Sequence, residues 1–440
     1  MTSFLLASVS ATGHVSPMVA VARELVARGN DVTFYTGDGV ADRVTAVGAA
    51  HVGLVDAQDV GFDALGNEFT DRPKGGVRQI RYDVRHAFVG RVPGQVQDLV
   101  RYVEAFRPDV LLAETGMALA ARMAAEITGV PWAALSVTAP TIPSPEIAPF
   151  GLGLAPSSSA LGRVRNRVLT ALTNRVIFGP AARDYDAMRA DAGLPLRAES
   201  VLEVGVSPYL FLQPTVPSFE YPRSSWPAHA HFVGPLLPPT PPGMQTPAWI
   251  DELDPSRPVV LVTQGTVATD PQELLLPALE ALAGEPVLVV GTTGGPDPAE
   301  LGPLPANARV ERFVPFHALM PKLAAMVSNG GYGGLHFAMS HGVPLVVAGN
   351  SEDKSELVAR VNWSGVGVGL RTNRAKPAQL RDAVRKVLGE PEHGARAAAI
   401  AAEMARTDAA GTSADLLEEL ARTGAPVTRV PERQAAVLSA

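Results

Sequence analysis

The sequence predicts an α/β protein with two parallel-sheet domains facing a central cleft. Three observations carry that expectation. Short apolar runs alternate with helical patterns through the first half, the same rhythm resumes from residue 258, and a proline-rich stretch separates the two. At 440 residues the chain is also too long for one ordinary core, so two domains of roughly 200 residues are the natural division.

Taken in order, "SFLLASV" (3–9) reads as a strand, and 17–28 as a helix with Pro17 in its first turn and Gly29 at its stop. "DVTFYT" (31–36) is the next strand, and "DVLLAE" (109–114), a helix over 117–128 and "WAALSV" (132–137) repeat the unit. In the second half "PVVLVTQ" (258–264), "PVLVV" (286–290), "AAMVS" (324–328) and "PLVVA" (344–348) read as buried strands. Between the halves, "VGPLLPPTPPGMQTP" (233–247) contains six prolines and can be neither a helix nor a central strand. The expected organisation is a first domain over 1–232, a linker over 233–257, and a second domain over 258–411. A helix over 412–423 then returns to the first domain, and a tail covers 424–440.

Composition narrows the function. Apolar residues make up 46% and charged residues 18%, which supports a packed core. A net charge of −7 with no Lys/Arg-rich run argues against a nucleic-acid partner. Without cysteine there are no disulfides, thiolate nucleophiles or Cys-based metal sites. No leader pattern and no run of ~18 apolar residues is present, so a cytoplasmic protein without a membrane span, monomer or homodimer, is expected. Asp184 and Asp186 lie in a helical context that reads as a solvated face, and His229 and His231 lack a third ligand; no metal is expected.

Two motifs carry chemistry. "ATGHVSP" (11–17) follows the first strand, placing His14 on the crest where open α/β sheets bind ligands. Position alone leaves His14 as a structural histidine or a base. Glu114 ends another strand of the same domain, and a carboxylate bonded to one ring nitrogen raises the basicity of the other. Such a dyad deprotonates a hydroxyl; Glu114 also suits the positive end of the helix that follows. In the second domain, "SNGGYGG" (328–334) puts four glycines within five positions between a strand and a helix. A turn needs one or two; four let backbone amides approach a phosphate or diphosphate at a helix start. "GVGVGL" (365–370) opens no helix, and neither a P-loop nor a G-x-S-x-G motif occurs.

Together, "GHVSPMVAVARELVARGNDVTFYT" (13–36), "RPDV" before Glu114 followed by "GVPW", and "FVPFHALMPKLAAMVSNGGYGG" (313–334) resemble the nucleotide-sugar-dependent glycosyltransferases of family 1. The order of motifs matches over nearly the whole chain. The resemblance implies the GT-B fold, with two Rossmann-like domains and no cofactor or metal. It implies an inverting transfer of a hexose or deoxyhexose from a UDP- or dTDP-sugar, with His14 as base and Glu114 orienting it. It further implies Phe313 stacked on the nucleobase, the Val314 backbone at the base edge, Thr266 at the phosphates, and the diphosphate over Asn329, Gly330, Gly331, Gly333, Gly334 and Leu335. Asp353 and Lys354 fall where sugar hydroxyls are contacted. Five positions depart from the pattern: Glu114 for Asp, Asn329 for His, Phe316 and Lys354 for Gln, and Phe337 for a ribose-binding Glu.

The acceptor side is expected from 62–91 and 138–178, with Phe69, Phe88, Ile142, Ile147 and Phe150 lining it. These suit a partly apolar small molecule such as a polyketide, macrolide, flavonoid or other phenol. Two other classes stay open: a catalytically silent nucleotide-sugar-binding partner protein, and a UDP-sugar epimerase on the same fold.

Overall fold

The computed structural model describes the chain except residues 60–70, 74–75, 198, 239–244, 266–269, 352 and 430–440. Phe69 and Thr266 lie outside the described residues. Among the described residues the first sheet comprises β1 (Ser3–Ala7), β2 (Asp31–Tyr35), β3 (Ala50–Val52), β4 (Val110–Glu114), β5 (Trp132–Leu135), β6 (Leu210–Gln213) and β7 (Ala230–Phe232). They run parallel in the order β3-β2-β1-β4-β5-β6-β7. The second sheet comprises β8 (Val259–Thr263), β9 (Leu288–Thr292), β10 (Ala308–Glu311), β11 (Leu323–Ser328), β12 (Leu345–Ala348) and β13 (Gly367–Leu370). It is also parallel, in the order β10-β9-β8-β11-β12-β13.

Near-continuous apolar runs make these strands because both faces are covered. In β1, Phe4 and Leu6 enter one core while Leu5 and Ala7 enter the other, and none of the four is exposed. The same division separates Val259 and Leu261 from Val260 and Val262 in β8.

Five helices matter for the site: α1 (Thr12–Ala27), α2 (Ala118–Thr128), α3 (Tyr332–Ser340), α4 (Lys354–Ser364) and α5 (Ala409–Thr423). α1 starts five residues before Pro17, so Pro17 is internal rather than in the first turn. A proline amide cannot bond the carbonyl four residues back, here that of Gly13. The helix nevertheless opens with the His14 and Val15 amides on the Ala11 carbonyl at 2.9 and 3.0 Å. The consequence is functional: His14 belongs to the first turn of a helix, not to a loop.

α5 packs back on the first domain, where Ala414, Leu417 and Leu420 join Met18, Val21 and Leu25 of α1 in one core. The expected tail begins later than residue 424. Gly424 reverses the chain at φ 61°, and Val427 enters the same core, its amide on the Tyr209 carbonyl at 2.9 Å.

Of the alternating glycines of 365–370, Gly365 caps the end of α4 at φ 75°, and Gly367 and Gly369 lie in β13. A Cβ on Gly367 would lie 1.8 Å from the Leu345 carbonyl oxygen, and one on Gly369 2.4 Å from that of Val358 in α4. Small residues here let α4 sit close against the sheet, which places its first turn at the cleft.

Candidate active site

In each sheet the strand order switches direction once, between β1 and β4 and between β8 and β11. Ligands bind in the crevice at such switch points. The first switch point carries His14 and Glu114. The His14 Nδ1 lies 2.6 Å from Glu114 Oε2, and the ring remains 23% exposed while the carboxylate is fully buried.

Burial of Glu114 is sustained by two backbone donors. The Val9 amide bonds Oε1 at 3.1 Å and the Gly116 amide bonds Oε2 at 2.7 Å. With the carboxylate accepting throughout, Nδ1 is the donor and Nε2 is left as the basic lone pair. Burial works against charging the ring. The charge of Glu114, its hydrogen bond and the more distant charge of Asp353 outweigh that penalty and raise the His14 pKa above its ordinary 6.5. Asp353 belongs to the second domain, so the histidine faces across the cleft.

The second switch point is built from the ends of β8 and β11. Asn329 Nδ2 donates to the Gln264 carbonyl at 2.6 Å, tying the two strand ends together. One amide hydrogen of Asn329 is thereby committed to the fold. Gly330 takes φ +99°, and Gly331 leads into α3. Ideal Cβ atoms on Gly331, Gly333 and Gly334 would meet nothing within 4 Å, so the backbone is open on that side. First-turn amides of a helix have no intrahelical acceptor. Leu335 differs: its amide bonds the Gly331 carbonyl at 3.1 Å and its side chain is fully buried.

Other donor-side residues take distinct places. Phe313, beyond the end of β10, is 64% exposed, and Val314 packs partly into the core beneath. Phe337 is buried against Phe316 and His317, with ring centroids 5.6 and 4.9 Å away, so it faces the core. A Cβ on Gly330 would lie 3.6 Å from both Cβ and Cγ of Lys354; the lysine stem runs over the glycine turn.

The expected acceptor residues divide between two cavities. Phe88 lines one with Val9 and Gly116, whose amides hold Glu114. Ile142, Ile147 and Phe150 line a second, together with Arg223, Glu356 and Arg360. Ile142 is also 4% exposed and packs in the first domain's core, while Phe150 packs against the second domain's. Among the described residues no group of three or more His, Cys, Asp or Glu is arranged to hold a metal. Asp184 and Asp186 instead pair with Arg85 and Arg197.

Sequence reasoning missed the contacts that join the domains. Gln213 Nε2 donates to the Tyr332 hydroxyl at 2.7 Å, and His336 Nε2 meets Thr215 Oγ1 at 2.7 Å. Arg360 Nε and Nη2 grip Glu220 at 2.7 and 3.1 Å, with both side chains 1% exposed. Thr138 Oγ1 bonds Asp353 Oδ2 at 2.5 Å. These partners are separated by 119 to 215 residues, and local patterns carry no trace of such pairs.

Known proteins are similar to this chain. Residues 273–420 match the family described as erythromycin biosynthesis protein CIII-like, C-terminal domain. The chain is 46% identical to 4'-demethylrebeccamycin synthase of Lentzea aerocolonigenes, over 94% of this chain and 99% of that protein. It is 33% identical to UDP-glycosyltransferase 2 of Phaeomoniella chlamydospora, over 95% of each. Among solved structures, the kitacinnamycin glycosyltransferase superposes with a TM-score of 0.71 at 26% identity, covering 95% of this chain and 98% of that one. Two parallel switch-point sheets across a cleft, full-length likeness to these enzymes and the matched C-terminal domain lead to one conclusion: the chain belongs to the GT-B nucleotide-sugar-dependent glycosyltransferases of natural-product type.

Proposed function

We propose that the enzyme transfers a hexose or deoxyhexose from a UDP- or dTDP-sugar, with inversion, to a hydroxyl of a small, partly apolar acceptor. The observation that carries this reading is the 2.6 Å His14–Glu114 pair on the first switch point, facing Asp353 of the second domain. His14 Nε2 takes the proton as the acceptor oxygen attacks the anomeric carbon, and the bond to the diphosphate oxygen breaks. Glu114 holds the ring and stabilises the imidazolium. The departing diphosphate meets the open amides at the start of α3 and the Lys354 ammonium, while Asp353 receives sugar hydroxyls. Phe313 carries the uracil ring on its exposed face.

UDP is favoured over dTDP because a relative 33% identical over its length is named a UDP-glycosyltransferase. The acceptor enters beside Phe88, near the amides that hold Glu114, with the segment carrying Ile142, Ile147 and Phe150 as its other wall. Mass spectrometry of phenol, flavonoid and macrolide mixtures incubated with UDP-glucose or a dTDP-sugar tests the proposal. A gain of one hexose from UDP-glucose, lost in His14→Ala, is expected. Sugar interconversion without an acceptor identifies an epimerase, and tight nucleotide binding without turnover identifies a silent partner.

A further inference from the structure

The loop over residues 138–156 leaves β5 at the acceptor side and ends in the donor domain's grip. Its first tie is Thr138 to Asp353. At its far end, the amides of Gly151 and Gly153 both donate to Glu356 Oε1, at 2.9 and 2.8 Å. Ser355 Oγ donates to the Gly151 carbonyl at 2.9 Å, and Arg371 Nη2 donates to that of Leu152 at 2.9 Å. Three of these four donor-domain residues stand in or beside the first turn of α4, next to Lys354. The contact is close: a Cβ on Gly153, at φ +56°, would lie 2.4 Å from the Ser355 carbonyl oxygen. Glu356 is 4% exposed and its other oxygen takes Arg360 Nη1 at 2.8 Å, so the carboxylate is held from behind.

We propose that Glu356 is a positioning residue, a latch that fixes the acceptor loop to the start of α4, beside the donor contacts Asp353 and Lys354. The inference rests on the functional reading above. A carboxylate accepting two amides and a guanidinium is a strong, directional anchor. Through it, the wall formed by Ile142, Ile147 and Phe150 moves as one body with Asp353 and Lys354. The consequence is a choice of nucleophile. With the latch closed, the acceptor hydroxyl attacks the anomeric carbon. With the loop detached, water attacks the same carbon, its proton passes to His14, and the nucleoside diphosphate leaves with free sugar. Glu356 therefore sets the ratio of transfer to donor hydrolysis.

The test measures both products, glycoside and free sugar, with UDP-glucose and an acceptor the wild type turns over, in Glu356→Ala and Gly153→Ala. Glu356→Ala removes the anchor; Gly153→Ala pushes the loop from Ser355 without altering the Glu356 or Arg360 side chains, and thermal melts of both variants establish that they are folded. Each is expected to lower the transfer-to-hydrolysis ratio about tenfold and raise acceptor KM, with donor KM changed less than about twofold. Glu356→Gln, which keeps an acceptor oxygen for the loop amides, is expected to restore part of the ratio. Folded variants that lose total turnover at an unchanged ratio overturn the latch. A wild type that transfers no sugar to any acceptor overturns the functional reading instead.

Discussion

Glu114 is one methylene longer than the aspartate its position suggested, an extra reach of roughly 1.5 Å. The structure absorbs that length at Gly116, where a Cβ would stand 2.9 Å from Glu114 Oε1 and 3.2 Å from a Val9 methyl. Gly116→Ala should therefore displace the carboxylate and lower kcat with little change in donor KM, measured by steady-state kinetics. The titration of His14 has a definite sign. Its raised pKa means the neutral base is lost as pH falls through a value above 6.5, so kcat/KM has an acidic limb there. Asp353→Asn removes one of the raising charges and leaves the Glu114 bond, so the limb should move to lower pH. A limb unmoved by Asp353→Asn would contradict the electrostatic link across the cleft.

At the scale of elements, the strand ends that carry His14, Glu114 and the glycine-rich turn were legible as local patterns, whereas the His14–Glu114 contact spans 100 residues. Other elements were not. β10, "ARVE", alternates charged residues with Val310 and has no apolar run, while β13 is half glycine for reasons that lie in β12 and α4. Pro17 suggested a helix start because proline favours first turns, whereas packing of α1 against β1 and α5 tolerates it inside. The donor turn also has a division of labour that composition does not reveal: Asn329 holds Gln264, and Lys354 overlies Gly330. Lys354→Gln should weaken UDP binding, read by calorimetry, by about tenfold, the order expected for one charge-assisted contact. Adding Asn329→His should recover part of it, since the cation is then supplied from the other side of the turn. Gly330→Ala, at φ +99°, should cost about 1–3 kcal/mol of folding stability, seen as a lowered Tm.

Across the whole molecule, a buried ionic group joins the domains: Glu220 and Arg223 from the first with Glu356 and Arg360 from the second. Burial favours the neutral form of Glu220, but attraction to Arg360 and Arg223 outweighs it and holds the pKa below its ordinary 4.5. A depressed value in the folded state adds stability that is complete above the unfolded value and fades as pH falls through the folded one. Acid unfolding below about pH 4.5 should accordingly lose part of its steepness in Glu220→Gln. Arg360→Leu, which takes from Glu220 and Glu356 the guanidinium they share, should cost about 3–5 kcal/mol. The same arrangement brings the His14 imidazole within the field of Asp353 of the second domain, and the proposed mechanism stands on that histidine. Its most direct test is the transfer rate of His14→Ala at saturating UDP-glucose, measured with UDP affinity on the same protein. Transfer reduced about a thousandfold with UDP affinity unchanged is the predicted result. Transfer within a few-fold of wild type would contradict it.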